Sequence, residues 1–353
     1  MNQDAYRKLI SGQDARFGAV LLRFFLGMPA EVYLIAVALR NFLYSKGWLK
    51  IHNANAAVIS VGNITTGGTG KTPLVVWLCN SLRNSKYKCL ILTRGYKTKK
   101  RVLSDEVAIL AESCPEAKVV INPDRVAGAT EAVSKFGANV LIMDDGFQHR
   151  RLARDLDIVT IDGTVPFGYG KLLPAGLLRE PVAELKRADA AVITRCDQAA
   201  ESELAQLEDK LRKINPEMII SRSMHAPVYM KSADGKKIGF EELKGKKIFA
   251  FCGIGNPDAF FNTVRGLGAN LVGSRIFNDH YHYTDDCLAD IYTQAKRLNS
   301  DLILTTQKDW FSLFDIGNSS FDIRFAYLAV ELKFVRGEGE ITQLIKDALA
   351  GKI

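Results

Sequence analysis

The sequence lacks the features that would assign it to several large classes of protein. Its six cysteines are scattered along 353 residues, and no two of them form a Cys-x-x-Cys motif. None has a histidine at the spacing of a zinc site, so we expect reduced thiols in a cytosolic protein. Internal repeats and low-complexity tracts are absent from the sequence. No signal peptide is expected, because Met1-Asn2-Gln3-Asp4-Ala5 is polar and includes an acidic residue.

Charge and composition narrow the classes further. The chain carries 47 Lys and Arg against 39 Asp and Glu, a formal net charge of +8. An excess of positive charge favours acidic partners, such as nucleic acid, an anionic membrane surface or a phosphorylated substrate. Nucleic acid is the weakest of these, because the sequence has no long basic block and no nucleic-acid-binding motif. Apolar residues make up 47% of the chain, which is typical of a folded globular protein.

Residues 17–50 are unusually apolar, yet no charge-free run among them is long enough to span a bilayer. Arg23, Glu31 and Arg40 divide the segment into short pieces, and Pro29 is expected to interrupt a continuous helix. The segment ends in a mixture of aromatic and basic residues, namely Phe42, Tyr44, Lys46, Trp48 and Lys50. This mixture suits an interfacial helix lying on an anionic membrane. An ordinary helix packed against the protein fits the pattern equally well.

A phosphate-binding loop is the strongest motif in the chain. The apolar strand candidate at residues 57–61 leads into Thr65-Thr66-Gly67-Gly68-Thr69-Gly70-Lys71-Thr72, and a helical pattern follows from Pro73. Glycines let backbone N–H groups approach a polyphosphate, and the helix directs its N-terminus at the same anion. Lys71 is expected to reach the β- and γ-phosphates, and the Thr72 hydroxyl to bind Mg²⁺. The usual pattern begins with Gly where this sequence has Thr65, and a flexible turn is the alternative.

Paired acids follow a second apolar strand. Residues 139–143 read as a buried strand that ends in Asp144 and Asp145, and Gly146-Phe147-Gln148-His149 comes directly after it. In a phosphate-loop enzyme, an acid at the carboxyl end of such a strand holds Mg²⁺ directly or through water. Two adjacent carboxylates in apolar surroundings repel each other, and a bound cation relieves that repulsion. A solvated turn is the structural alternative.

Strands and helices alternate from the phosphate loop to about residue 220, and the strands are continuously apolar. This pattern predicts an α/β protein with a parallel sheet flanked by helices, similar to P-loop NTPases. Two short strand candidates around Ser232-Ala233-Asp234-Gly235 predict a hairpin. The predicted organisation is a helical segment at 1–50, a phosphate-loop domain at 51–225, a β-ribbon linker at 226–240, a smaller α/β domain at 241–335 and a C-terminal helix at 336–353.

Three further clusters are less decisive. Ser104-Asp105-Glu106 is most simply a helix cap, because acidic residues favour a helix N-terminus. Asp279-His280-Tyr281-His282 could supply a general base or a metal ligand, although an Asp-His pair is more often structural. Thr194-Arg195-Cys196-Asp197 faintly resembles the guanine-specificity motif of GTPases. A P-loop GTPase or metallochaperone is therefore one possible function. A membrane-associated nucleotide switch that uses the N-terminal helix as a partner surface is another.

Taken together, the motifs resemble those of tetraacyldisaccharide 4′-kinases, the lipid A 4′-kinases of Gram-negative bacteria. Thr65 at the first loop position fits this family, and Asp144-Asp145-Gly146-Phe147-Gln148-His149 is the most specific match. The resemblance spans nearly the whole chain and continues through Arg94-Gly95-Tyr96, Ser104-Asp105-Glu106, Leu173-Pro174-Ala175-Gly176-Leu177-Leu178-Arg179-Glu180-Pro181, Gly253-Ile254-Gly255-Asn256-Pro257, Asp279-His280 and Thr305-Thr306-Gln307-Lys308-Asp309.

The resemblance implies transfer of the γ-phosphate of ATP, with Mg²⁺, to the 4′-hydroxyl of tetraacyldisaccharide 1-phosphate. The product of this reaction would be lipid IVA. The resemblance also implies a peripheral protein at the cytoplasmic face of the bacterial inner membrane, with its N-terminal segment docked on the anionic lipid surface. Neither a nucleic acid nor an obligate protein partner is expected.

The resemblance further implies roles for individual residues. Asp105 matches the catalytic aspartate that would accept the proton of the 4′-hydroxyl. His280 matches its dyad partner, although His282 could take that place. Lys71 and the amides of residues 65–72 would hold the phosphates. The implied metal ligands are Thr72, Asp144, Asp145, Gln148 and Glu180, and the further active-site residues are His149 and Arg179.

Overall fold

The computed structural model describes residues 3–83, 86–95, 105–279, 281–313 and 322–352, without the side chains of residues 3, 4 and 105. Strands and helices alternate through its first half. The strands are β1 (Ala57–Gly62), β2 (Cys89–Thr93), β3 (Lys118–Ile121), β4 (Val140–Asp144), β5 (Leu156–Asp162), β6 (Ala190–Thr194) and β7 (Ile219–Ser232). The helices are α1 (Gln3–Ile10), α2 (Phe17–Ser45), α3 (Lys71–Ser81), α4 (Asp105–Ser113), α5 (Arg125–Phe136) and α6 (Glu201–Ile214).

The second half repeats this alternation on a smaller scale. Its strands are β8 (Lys237–Ile238), β9 (Lys247–Cys252), β10 (Asn270–Ile276), β11 (Leu302–Thr306) and β12 (Arg324–Arg336). Its helices are α7 (Pro257–Gly266), α8 (Asp285–Arg297), α9 (Gln307–Trp310) and α10 (Glu338–Ala350). Side-chain oxygens of Asn256 and Thr284 cap the first turns of α7 and α8, which fixes where these helices begin.

The strands of the described residues form one twelve-stranded sheet, in the order β10-β9-β11-β12-β7-β6-β5-β1-β4-β2-β3, with β8 paired to β7. Neighbouring strands are parallel, except that β7 is antiparallel to β12 and to β8. The long strands β7 and β12 join the two halves, because their pairing runs from Arg222 opposite Arg336 to Ser232 opposite Ala326. The predicted α/β fold and the predicted hairpin, seen in the pairing of β7 with β8, are confirmed.

The apolar strands of the first half are buried along their whole length, as β1, β4, β5 and β6 illustrate. Such strands need helices on both faces, which explains why their sequences are continuously apolar rather than alternating. Helix α10, from the end of the chain, packs into the same core as α3 through Ile341, Ile345 and Leu349. The second half has its own apolar clusters around β9 and β11. The division into domains stays a prediction, since β7 and β12 belong to both halves.

Helix α2 differs from the expectation for residues 17–50. It is continuous over 29 residues with Pro29 inside it, so the prediction that Pro29 interrupts the helix is wrong. Proline costs a helix interior about 3 kcal/mol, which the many other hydrogen bonds of this long helix outweigh. Phe24, Met28, Val32 and Ile35 are between 64% and 70% exposed. By length and composition α2 could cross a membrane, a test that core helices and signal sequences also pass.

Candidate active site

The phosphate loop lies between β1 and α3, and its backbone requires its glycines. Gly67 and Gly70 have φ values of 108° and 89°, in the left-handed region that favours glycine. A Cβ on Gly70 would also lie 2.6 Å from Nε2 of His225. Gly70 directly precedes α3, so the N-terminus of that helix, which begins with Lys71 and Thr72, points into the loop. The strand–loop–helix unit expected from the sequence is present.

Buried hydroxyl groups fix the loop against the neighbouring strands. The Thr69 hydroxyl accepts a hydrogen bond from Nδ2 of Asn63 at 2.9 Å and lies 2.7 Å from the Thr160 hydroxyl. Thr194, at the end of β6, donates to the carbonyl oxygen of Thr69 at 2.9 Å. All four side chains are buried, so water does not compete for these bonds. The loop is therefore held in its conformation by the protein itself.

Asp145 forms an ion cluster with two cations beside the loop. One of its carboxylate oxygens lies 3.4 Å from Nζ of Lys71, and both lie 2.9 Å from Nη1 of Arg179. Burial raises the pKa of Asp145, but the positive charges of Lys71 and Arg179 outweigh burial and hold the pKa well below its usual range. Asp145 is therefore ionised at neutral pH.

Asp144, at the end of β4, lies in a different environment. It is buried, and its Oδ2 accepts a hydrogen bond of 3.4 Å from the Thr93 hydroxyl. Its Oδ1 is buried without a hydrogen-bond partner among the described residues. Burial, reinforced by the negative charges of Glu106 and Asp145, raises the pKa of Asp144 to about 7. A buried acceptor without a partner is costly, and a bound cation would satisfy it.

The Asp144 carboxylate and the Thr72 hydroxyl are suitable ligands for a divalent cation that also binds phosphate groups. Within the described ranges, no three His, Cys, Asp or Glu side chains come together to hold a metal on their own. Mg²⁺ in nucleotide sites needs only one or two carboxylates, because phosphates and water complete its octahedron. Asp144, with its unpartnered Oδ1, and Thr72, at the start of α3, both line the cavity described below. The donor set therefore suits Mg²⁺ arriving with a nucleotide.

Arg179 is held beside the phosphate loop by its backbone. Its N–H donates to the carbonyl oxygen of Ile64 at 2.7 Å. Gln148 donates to the carbonyl oxygen of Asn63 at 2.8 Å, and its Oε1 lies 3.5 Å from Nη1 of Arg179. Lys71 and Arg179 thus both contact Asp145, and Gln148 contacts Arg179. Gln148 is not among the described residues that line the cavity, and its assignment to the metal stays a prediction.

Two other residues that the sequence assigned to the site lie outside this group. His149 does not line the cavity, and burial together with the charge of Arg125 lowers its pKa to about 4, so its imidazole is neutral. Glu180 is fully buried, its carboxylate binds Arg40 and Arg187, and it is not among the described residues that line the cavity. A carboxylate engaged by two guanidinium groups is not available to a cation in the cavity. We therefore omit Glu180 from the proposed metal ligands.

A cavity of about 600 Å³ extends from the phosphate loop to the second half of the chain. The side chain of Asp105 and the whole of His280 lie outside the described residues. Their sequence neighbours Glu106 and Asp279 both line the cavity, on opposite halves of the chain. His282 is exposed and does not line it. The assignment of Asp105 and His280 as a dyad stays a prediction.

The loop after β9 contacts the phosphate loop directly, since a Cβ on Gly255 would lie 2.1 Å from the backbone nitrogen of Gly68. Asn256 donates to Asp162 at 3.1 Å, and Asp162 forms an ion pair of 2.6 Å with Arg195. Arg195 in turn donates to the carbonyl oxygen of Gly68 at 2.8 Å. Sequence reasoning missed this role of Arg195. Its position at the end of β6, where ligands of parallel sheets bind, was the available signal.

Gly255→Ala should push the loop after β9 away from the phosphate loop. The added Cβ would meet backbone atoms of the phosphate loop, which cannot move aside cheaply. We expect the Kd for MgATP, measured by isothermal titration calorimetry, to rise about tenfold or more, because misplaced contacts lose much of their binding energy. Gly266→Ala is the matched control, since nothing lies within 4 Å of its Cβ position. Equal MgATP affinities of the two variants would contradict a close contact between Gly255 and the phosphate loop when MgATP is bound.

The fold and the site define a class of protein. A mostly parallel sheet, a glycine-rich loop between β1 and α3, and an acid pair at the carboxyl end of the neighbouring strand β4 are the features of P-loop nucleotide-binding proteins. The family model of tetraacyldisaccharide-1-P 4′-kinase (LpxK) matches residues 22–350. The chain therefore belongs to the tetraacyldisaccharide 4′-kinase family, whose members are lipid kinases.

Individual relatives support this assignment over almost the full length of the chain. The protein is 35% identical to the tetraacyldisaccharide 4′-kinase of Halothermothrix orenii, with 92% of each chain covered. It is 36% identical to that of Anaeromyxobacter sp. strain Fw109-5, with 96% of this chain and 95% of the relative covered. The crystal structure of Aquifex aeolicus LpxK in complex with ATP matches it with a TM-score of 0.70 at 30% identity, covering 93% of this chain and 99% of that one.

Proposed function

We propose that the protein transfers the γ-phosphate of ATP to the 4′-hydroxyl of tetraacyldisaccharide 1-phosphate, which produces lipid IVA for lipid A synthesis. Membership of the kinase family supports the reaction. The observation that carries it is the charged cluster of Lys71, Asp145 and Arg179 at the phosphate loop. Two cations at this position suit a γ-phosphate whose negative charge must be neutralised during transfer.

The residues of the phosphate loop do most of the work that this reaction requires. Phosphoryl transfer depends on positioning and charge neutralisation more than on covalent chemistry by the protein. The amides of residues 65–70 and the N-terminus of α3 would bind the phosphates. Lys71 and Arg179 would neutralise the transferred group. Mg²⁺ bound with the nucleotide would supply further positive charge at the phosphate oxygens.

The acceptor side of the reaction rests on the resemblance to the family. Asp105 would accept the proton of the 4′-hydroxyl as this oxygen attacks the γ-phosphorus, and His280 would orient Asp105. Thr72 and Asp144 or Asp145 would hold the cation. Glu106 follows Asp105 in the sequence, and Asp279 precedes His280. Both of these neighbours line the cavity, one from each half of the chain, which supports the assignment of the dyad to this cavity.

A labelling experiment tests the proposed reaction. Purified protein is incubated with Mg²⁺, γ-labelled ATP and tetraacyldisaccharide 1-phosphate in detergent micelles, and the lipids are separated by chromatography. We expect label in a bisphosphorylated lipid. Hydrolysis of ATP without labelled lipid would favour a nucleotide switch or another acceptor, and would refute the proposed reaction.

ATP rather than GTP is the expected phosphate donor. A guanine-reading motif would use Asp197, but this residue is exposed and is not part of the cavity lining among the described residues. Arg195 is engaged by Asp162 and by the carbonyl oxygen of Gly68. These contacts argue against the GTPase alternative, which a comparison of ATP and GTP in the same assay would test.

We infer that α2 lies on the anionic surface of the inner membrane, at its cytoplasmic face. The exposed residues Phe24, Met28, Val32 and Ile35 are spaced by three or four positions and therefore share one face of the helix. A face of this kind, on a protein with a net charge of +8, suits adsorption to anionic lipids. The acceptor of the reaction is itself a lipid, so this placement would bring enzyme and substrate together.

Serine at both Phe24 and Val32 should weaken association with anionic liposomes. Full burial of each exposed side chain in lipid would contribute about 1.5–3 kcal/mol to binding, so the double substitution should lower binding by at least about 100-fold. Liposome co-sedimentation measures this, and MgATP affinity should stay unchanged. The control replaces Leu298 and Val335, two exposed apolar residues far along the chain, with serine. Undiminished sedimentation of the Phe24/Val32 variant would rule out this face as the membrane contact.

A further inference from the structure

We propose that Glu180 and Arg40 are positioning residues, which hold Arg179 against Asp145 and make α2 part of the support of the active site. The proposal rests on the proposed function, because it concerns the residue that would neutralise the transferred phosphate. It assigns to Glu180 a role other than metal binding and to α2 a role besides membrane contact.

The first observation is the environment of Glu180. Its carboxylate is fully buried and forms ion pairs with Arg40 of α2 on one oxygen and with Arg187 on the other. Asn41, the next residue of α2, donates to the same oxygen as Arg40 at 3.3 Å. The Arg187 guanidinium lies 3.7 Å from the centroid of the Phe147 ring, which fixes it in place. Glu180 is thus one point at which α2 is attached to the loop.

The second observation is the conformation of the loop that carries Arg179 and Glu180. Leu178 pairs in antiparallel fashion with Thr65, and the Thr66 N–H donates to the carbonyl oxygen of Leu177 at 2.7 Å. Residues 177–179 are therefore held along the start of the phosphate loop. The next two side chains bind different partners, because the Arg179 guanidinium binds Asp145 and the Glu180 carboxylate binds Arg40 of α2 and Arg187.

The third observation is that α2 also contacts the backbone of Arg179 and the segment that follows Gln148. The Tyr33 hydroxyl donates to the carbonyl oxygen of Arg179 at 2.9 Å. Arg150, which follows Gln148 and His149 in the chain, donates to the carbonyl oxygen of Asn41 at 2.9 Å. The loop with Arg179 thus lies between the phosphate loop on one side and α2 on the other. Loss of the α2 contacts would allow the loop to shift, and the Arg179 side chain would no longer be held against Asp145.

The energetics favour positioning by the ion pairs over a general contribution to folding. A buried ion pair adds little net stability, but removal of one partner leaves an uncompensated buried charge. In Arg40→Ala, Glu180 keeps Arg187, so the fold should survive while the loop shifts. A displacement of about 1 Å can reduce catalysis about 100-fold when it affects a group that orients the reacting atoms. The effect of Arg40 should therefore appear in turnover more than in binding.

Steady-state kinetics with lipid in detergent micelles is the first test. We expect Arg40→Ala and Glu180→Gln to lower kcat roughly 10- to 100-fold, with the KM for MgATP within about threefold of wild type. Arg40→Lys keeps the charge and should lie between Arg40→Ala and wild type. Tyr33→Phe removes one hydrogen bond and should lower kcat about two- to tenfold without endangering the fold. Arg212→Ala and Glu217→Gln, which alter exposed charges elsewhere, are the matched controls.

Two further measurements do not depend on turnover. The first is the Mg²⁺ concentration needed for binding of a non-hydrolysable ATP analogue, which should be the same in Glu180→Gln and wild type. The second is hydrogen exchange of the Arg179 amide, which donates to Ile64. This amide should exchange faster in Arg40→Ala, Glu180→Gln and Tyr33→Phe than in the controls.

Two results would overturn the proposal. One is a rise of about tenfold or more in the Mg²⁺ requirement of Glu180→Gln, the size expected when a residue that supports metal binding is lost. The other is wild-type kcat and exchange in both Arg40→Ala and Tyr33→Phe. If wild-type protein phosphorylates no lipid, the proposed function fails, while the Mg²⁺ titration and the exchange measurement still decide the role of Glu180.

Discussion

Lys71→Ala should reduce phosphoryl transfer to the lipid by about 10³-fold or more, because it removes a preorganised positive charge from the transferred phosphate. Lys71 is the first residue of α3, and its ammonium group lies 3.4 Å from Asp145. The ion pair holds the side chain over the loop before nucleotide binds. Rapid-quench measurement of a single turnover, with enzyme in excess of lipid, reports this loss at the chemical step.

The controls for Lys71 separate charge from folding. Lys71→Arg keeps a positive charge and should retain more activity than Lys71→Ala, although less than wild type, since a guanidinium differs in shape from an ammonium group. Lys346→Ala removes an exposed lysine from α10 and should behave as wild type. The melting temperature should change little in all three variants. Near wild-type turnover of Lys71→Ala would refute the assignment of the phosphate loop.

Asp105→Ala should lower the single-turnover rate by roughly 10²- to 10⁴-fold, the usual contribution of a general base. Helix α4 begins at Asp105, and the next residue, Glu106, lines the cavity together with Asp144 and Asp145. Asp105 is thus adjacent in sequence to a residue of the site. The affinity for MgATP should stay close to that of wild type, because the lost group acts on the acceptor hydroxyl.

Four variants distinguish a base from a helix cap. Asp105→Asn keeps the size and the capping oxygen, so it should be as inactive as Asp105→Ala if the carboxylate is the base. His280→Ala should be impaired, and the Asp105/His280 double variant should lose little more than Asp105→Ala, as expected of groups that act together. His282→Ala should resemble wild type. Unchanged single-turnover rates in Asp105→Ala would leave Asp105 as a helix cap only.

Much of the fold and part of the site follow from local patterns. The phosphate loop was predictable because its glycines, its lysine and the flanking strand and helix are contiguous in the chain. The acid pair after β4 was predictable for a similar reason, since ligands gather at the carboxyl ends of parallel strands. The cluster of Lys71, Asp145 and Arg179 joins three segments that are distant in the sequence. Two of these segments follow β1 and β4, and they lie close together because these strands are neighbours in the sheet.

The remaining features depend on tertiary contacts that sequence patterns do not encode. Glu180 was assigned to the metal, but Arg40 and Arg187, distant from each other in sequence, engage its carboxylate. Pro29 should have ended a helix by local rules, yet α2 continues through it. Arg195 was noticed only as part of a weak motif, whereas its function depends on Asp162 at the end of another strand.

Helix α10 contributes to the core of the first half, although most of the chain separates them, and this has a consequence for synthesis of the protein. Ile341, Ile345 and Leu349 of α10 share an apolar cluster with α3, the helix of the phosphate loop. During synthesis α2 leaves the ribosome well before α10. An apolar helix is therefore exposed while the core beneath the phosphate loop is still incomplete, a state in which chains are prone to aggregate. Early capture of α2 by a membrane would shield the apolar face of this helix until α10 has been synthesised.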